Sequence, residues 1–171
     1  MLRLVEINKN YEDEIWEFRK EILDYDKDNE DQFAGCLGLS EASSSSEWID
    51  LCLKRKNGET SFVPSTVYLA IDENKLVGII DLRHHINHPI LGTWGGHSGY
   101  TVRPGYRGRG YAKEMLRLVL LKAKEIEIKE FLITCSTVNK ASEAVIKANG
   151  GEFDSIVDVD NIQIKRYWIH L

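Results

Sequence analysis

The sequence has no apolar run approaching the ~20 residues that a membrane-spanning helix requires. Its first residues, MLRLVEINKN, lack the apolar centre of a signal peptide, so the expected location is the cytoplasm, without membrane partners. It also lacks surplus positive charge: 27 Asp and Glu stand against 22 Lys and Arg, for a net −5. Phosphate backbones call for clustered cationic excess, which argues against nucleic acid as a partner. The three cysteines, Cys36, Cys52 and Cys135, are an odd number without CxxC spacing, so neither a disulfide framework nor a zinc knuckle is expected. We expect reduced, mostly buried thiols and no metal. Internal repeats and linker-like breaks are missing too, and 171 residues at 43% hydrophobic content suit one core, hence a single domain over residues 1–171.

What is present reads as alternating strands and helices. LRLVEI alternates with period two and predicts a strand from Leu2 to Ile7. In the helix that follows, Asn10 is the expected cap, Asp13 and Glu14 sit in the first turn, and Ile15, Phe18 and Ile22 form the apolar stripe. Ser44 and Glu47 have capping-box spacing, so the serine run feeds a second helix that ends near Gly58. STVYLAIDENKLVGIIDLRHH predicts a hairpin turning at Asp72 to Lys75. GHSGYTV reads as a fourth strand. A helix from about Gly110 to Ile126 presents Ala112, Met115, Leu116, Val119 and Ala123 on one face, and EFLITCS reads as a buried fifth strand, giving a βαβ unit. Asn139 caps a last helix ending at Gly150 and Gly151, and a closing hairpin turns near Asp160 and Asn161.

Glycine and arginine crowd the handover from the fourth strand to its helix, in VRPGYRGRGYA. Gly108 and Gly110 let backbone N–H groups come close to a ligand. The helix start supplies N–H groups without intrahelical partners and the positive end of the helix dipole, so it suits a phosphate or pyrophosphate. Arg103, Arg107 and Arg109 are expected to add cationic reach; the alternative is a tight turn with solvated arginines. Two nucleotide signatures are missing: no Gly-Lys-Ser/Thr follows, and Gly108, Gly110 and then Lys113 do not make GxGxxG.

VRPGYRGRGYA resembles motif A of the GNAT acyltransferase superfamily, Q/R-x-x-G-x-G/A, with Arg107, Gly110 and Ala112 in the defining places. NKASEAVIKANGG is similar to its motif B, in which Asn139 begins the helix and Gly150 closes it. RHHIN and GGHSGYTVRP look like a poorly characterised bacterial branch. The resemblance implies an α/β fold, with a mixed sheet of six or seven strands flanked by about four helices. The sheet is splayed between the fourth strand, about Gly96 to Val102, and the fifth, Phe131 to Ser136. It also implies acetyl-CoA as cosubstrate. The pyrophosphate would rest on Arg107, Gly108, Arg109, Gly110, Tyr111 and Ala112, and the pantetheine arm along Tyr100, Thr101 and Val102. Asn139 and Ser142 would face the cofactor from the far side; a plain helix cap and first-turn serine is the alternative.

Acetyl transfer to an amine requires a deprotonated nucleophile, a stabilised oxyanion and a proton for the leaving thiolate. An alkyl ammonium has a pKa near ~10.4, so a base assists. His97, expected on the fourth strand, is the candidate, with His84 and His85 behind it; the alternative is a strand-end histidine bonded to backbone or solvent. Backbone N–H groups of the fourth strand can polarise the thioester carbonyl. Family members commonly carry a Tyr acid seven residues after the motif B Asn, where this chain has Ile146. Either Tyr100, Tyr111 or a water supplies the proton, or the thiolate leaves unassisted, as its moderate basicity allows. Cys135 has no His partner at close spacing, so direct transfer is favoured over an acyl-cysteine. The expected acceptor is a primary amine of a small molecule or peptide, met by residues 25–46 and 84–96, and a homodimer is compatible with this reading. The alternative is a non-catalytic acyl-CoA-binding or sensing domain.

Overall fold

The computed structural model describes residues 1–29 and 32–171. Among these residues, seven strands form two antiparallel sheets. The first has the order β1 (Arg3–Glu6), β2 (Ser65–Asp72), β3 (Lys75–Arg83) and β4 (Tyr100–Val102). The second has the order β5 (Glu130–Ser136), β7 (Ile162–His170) and β6 (Glu152–Val159). Helices α1 (Glu12–Tyr25) and α2 (Ser45–Lys56) precede β2; α3 (Tyr111–Glu125) joins β4 to β5 and α4 (Lys140–Ala148) joins β5 to β6. The expected mixed sheet is thus divided: β4 and β5, the two strands of the βαβ unit, share no ladder.

The first sheet is covered on both faces, which is why β2 and β3 read as nearly continuous apolar runs. Val67, Leu69 and Ile71 of β2 face α1 and α2, packing with Ile15, Phe18, Ile22, Trp48 and Ile49. Tyr68 and Ala70 face the other way, onto Met115, Leu116 and Val119 of α3. Phe131, Ile133 and Tyr167 from the second sheet complete that cluster. Burying each Val, Leu, Ile, Phe or Met side chain here contributes roughly 1.5–3 kcal/mol, so the Met115, Leu116 and Val119 stripe holds α3 on the sheet.

Local chemistry sets the boundaries. Both short hairpins turn through two positive-φ residues, Glu73 and Asn74, then Asp160 and Asn161, the pattern a two-residue antiparallel turn requires. Ser44 caps α2 through the Glu47 N–H at 3.1 Å, while the Glu47 carboxylate bonds the Ser43 hydroxyl and does not close the capping box. The expected cap at Asn10 is corrected: Asn8 accepts the Asn10 N–H at 3.0 Å and caps a 3₁₀ turn, Lys9–Tyr11, that leads into α1. The fourth strand is shorter than expected: its regular ladder with β3 starts at Tyr100, because the Gly99 N–H turns to the Asp81 carboxylate at 2.7 Å and the His97 N–H to Leu132 C=O at 2.8 Å.

Candidate active site

The division between the sheets opens a cavity of about 460 Å³. One wall is β4 and the start of α3; the other is the end of β5 and the first turns of α4. Register explains why β4 has groups to offer. Gly99 C=O and Arg103 N–H bond β3, so by antiparallel alternation the backbone groups of Tyr100 and Val102 point towards the gap. The Tyr100 hydroxyl crosses it to the Ser142 hydroxyl at 2.7 Å, where Asn139 caps α4 by accepting the Ser142 N–H at 3.0 Å.

At the other end, Gly110 is the residue before α3, with φ +83°, and a Cβ built on Gly108 or Gly110 would meet nothing within 4 Å. The loop is open toward the cavity. The first-turn N–H groups of α3, on Tyr111, Ala112 and Lys113, have no acceptor within the helix. All three residues line the cavity, so a polyanion could be held there by donors, dipole and the Lys113 ammonium together.

The arginines are arranged otherwise than expected. Arg103 is bound by Glu21 at 2.9 and 2.7 Å and by Glu14 at 3.0 Å, both from α1. Arg107 makes a fork with Asp26 at 2.8 and 2.5 Å and donates its Nε–H to the Val102 carbonyl at 3.0 Å. The carboxylates hold both guanidinium groups above their ordinary pKa, chiefly through these hydrogen bonds. Arg103 and Arg107 therefore tie α1 to the loop and do not reach out with free charge. Arg109 lies over the Tyr106 ring, 5.4 Å from its centroid, and does not line the cavity.

Of the residues singled out from the sequence, Tyr100, Thr101, Val102, Arg107, Gly108, Gly110, Tyr111, Ala112, Asn139 and Ser142 all border the cavity. Thr101 is a wall, its hydroxyl donating to Ala34 C=O at 2.8 Å. The Tyr111 hydroxyl is engaged with Asp72 at 2.7 Å, a bond that raises its pKa. Ile146 is fully buried in the core, so no substitution there short of repacking would restore a cavity-facing acid.

His97 is the main correction. It is only 4% exposed and does not border the cavity. Its Nδ1 accepts the Leu132 N–H at 2.9 Å, which leaves the proton of the neutral ring on Nε2. Burial, with Arg83 and His85 nearby, lowers its pKa to about 4. An imidazole with its lone pair engaged and so little basicity is a poor proton acceptor. His84 is no better placed: its Nε2 bonds the Thr66 hydroxyl at 2.8 Å, and it lies off the cavity.

Sequence reasoning did not single out Lys113, Asp26 or Ala34, the last two lying in the stretch 25–46 expected to meet the acceptor, and all three border the cavity. Lys113 was legible as a cation in the first turn after Gly110. Asp26 had no local signal, since its partner lies 81 residues away.

Comparison with known proteins gives a consistent picture. The family model described as an acetyltransferase (GNAT) domain matches residues 10–152. No curated protein matches in sequence. Among solved structures, RimL, a ribosomal L7/L12 alpha-N-protein acetyltransferase, in complex with coenzyme A disulfide-bonded to a cysteine, superposes with a TM-score of 0.71 at 16% identity, covering 99% of this chain and 94% of its own. The microcin C7 self-immunity acetyltransferase MccE, in complex with acetyl-CoA and AMP, gives 0.72 at 15%, covering 99% and 92%. An acetyl transferase from Salmonella typhimurium that modifies the N-terminal serine of L7/L12 gives 0.70 at 17%, covering 99% and 95%. At such identities the likeness is one of fold.

Proposed function

The chain belongs to the GNAT acetyltransferase family, and from that premise we propose that it transfers the acetyl group of acetyl-CoA directly to a primary amine of a small molecule or peptide. The observation that carries this reading is the continuity of the cavity. It runs from the donor-rich start of α3, along the gap-facing backbone of β4, to the Tyr100–Ser142 hydroxyl pair. That order matches the cofactor's own: a pyrophosphate, a polar pantetheine arm, then a thioester. On this reading the pyrophosphate rests on Gly108, Gly110, Tyr111, Ala112 and Lys113. Arg107 acts through the loop's shape, its charge being matched by Asp26.

The chemistry asked of the chain is modest. The amine nitrogen attacks the thioester carbon, a backbone N–H of β4 stabilises the oxyanion, the C–S bond breaks and the thiolate takes up a proton. We assign that proton to the Tyr100–Ser142 pair, whose 2.7 Å bond lets either hydroxyl relay it. Among the described cavity residues the only carboxylate is Asp26, already paired with Arg107, so we assign removal of the amine proton to water. Turnover should then rise with pH toward the amine's own pKa.

The test is a screen of amines and N-terminal peptides that follows free thiol, together with calorimetric titration of acetyl-CoA. Thiol release dependent on an acceptor supports the enzyme. The second reading, an acyl-CoA sensor, is favoured by the core-buried Ile146 in place of an acid; tight acetyl-CoA binding with no transfer to any acceptor would decide for it.

A further inference from the structure

The junction at which β4 and β5 part has an unusual hydrogen-bond economy. In a regular strand the N–H and C=O of one residue point to the same side. At His97 they do not. Its N–H donates to Leu132 C=O on β5 at 2.8 Å, while its C=O accepts from Arg83 N–H on β3 at 2.8 Å. Leu132 N–H would be left without the strand carbonyl it needs, and the His97 Nδ1 takes that place at 2.9 Å. The ring is stacked on Phe131 at 5.0 Å and 21°, which fixes its orientation. Gly96 permits the approach: a Cβ there would lie 2.7 Å from Leu132 C=O. Three residues later the β4 backbone faces the open gap.

We infer that His97 is a positioning residue whose imidazole stands in for a strand carbonyl, pinning β5 to the start of β4 and so setting the width of the slot that receives the pantetheine arm. This deepens the acetyl-CoA reading and rests on it. The role needs an acceptor atom at the Nδ1 position and nothing more. Asn offers one, since its Oδ1 sits at the same reach from Cβ, and it cannot act as a base.

The experiment compares His97→Asn and His97→Ala with the parent. His97→Asn should keep KM for acetyl-CoA and kcat within about threefold. His97→Ala should raise KM for acetyl-CoA at least tenfold while lowering kcat at saturating acetyl-CoA by less. Loss of at least 100-fold in kcat by His97→Asn with acetyl-CoA affinity intact would overturn the inference and return the imidazole to catalysis, as would an Asn variant no better than Ala. Should His97→Ala fail to fold, ¹⁵N-histidine spectra of the parent decide: a bare Nδ1 coupled to the Leu132 amide proton is expected, and a protonated Nδ1 overturns it. Those spectra require no cofactor, so failure of the parent to bind acetyl-CoA would count against the proposed function while the hydrogen-bond assignment is judged separately.

Discussion

The two ends of β4 use glycine for opposite physical reasons. At the exit, Gly108 and Gly110 face open space, and the missing Cβ leaves room for something outside the chain. At the entry, Gly96 and Gly99 are pressed against other backbone: a Cβ on Gly96 would meet Leu132 C=O at 2.7 Å, and one on Gly99 would meet Gly35 N at 2.7 Å. Here the missing Cβ leaves room for the chain itself. Glycine in a motif therefore says that something comes close, and only its surroundings say whether that is ligand or protein.

The sharpest way to break this comparison is to add a methyl group at the entry. Gly96→Ala has both a φ of +70° and the clash with Leu132, and should cost about 2–4 kcal/mol of stability in urea unfolding. A parental midpoint would show that the junction relaxes freely and that the entry is not packed as described.

At the exit the same logic predicts the reverse balance. Gly110→Glu adds a side chain in open space at φ +83°, so its conformational strain is about 1 kcal/mol and the melting temperature should fall by only about 2–4 °C. Its carboxylate would oppose an anion at the helix start, and acetyl-CoA affinity by calorimetry should fall more than tenfold. Unchanged affinity in the folded variant would move the pyrophosphate off this loop.

Acidity separates the two ends as well. His97 has its folded pKa depressed to about 4 by burial, against 6.5 for the free side chain. Between these values the unfolded chain binds the extra proton, so stability is whole above pH 6.5 and is lost as pH falls toward 4, by on the order of 3 kcal/mol. The parent should lose more than His97→Asn over this window in paired denaturation curves; identical losses would remove the histidine from the acid response. The loop before α3 and the helix's first residues, 107–112, contain no histidine or carboxylate.

The smallest effect lies far from both ends. His170 bridges Glu130 at 2.5 Å and Glu152 at 3.1 Å across β5, β7 and β6, and its pKa is raised, first by the Glu152 bond and then by Glu130. Its stabilisation is fully present below pH 6.5 and fades as pH rises through the raised folded value. An NMR titration midpoint at or below 6.5 would mean the bridge does not form in solution.

How much of this was legible follows from the range of each interaction. The Asn139 cap, the two hairpin turns and the open loop before α3 are decided within four residues, and each was readable. The partners of the arginines were not: Arg103 and Arg107 look alike in a cationic stretch, and only tertiary structure brings Glu14, Glu21 and Asp26 to them. His97 was misread for a related cause. GHSGYTV has strand-like letters, but Gly96 bends the backbone so that His97 serves two strands at once, and no periodicity within the segment records a neighbour 35 residues away.

The ion pairs between α1 and the loop also bear on the order in which the molecule can be assembled. Arg103 meets Glu21 across 82 residues and Arg107 meets Asp26 across 81, so these ties join an early segment to one made much later. During synthesis residues 12–26 emerge long before the arginines that will pair with them, and their carboxylates face water until those arrive. Closing so long a loop is slow and entropically costly before its contacts form. The loop before α3 should accordingly be among the last parts to reach its final shape, gaining native order only after α1 has settled against the first sheet.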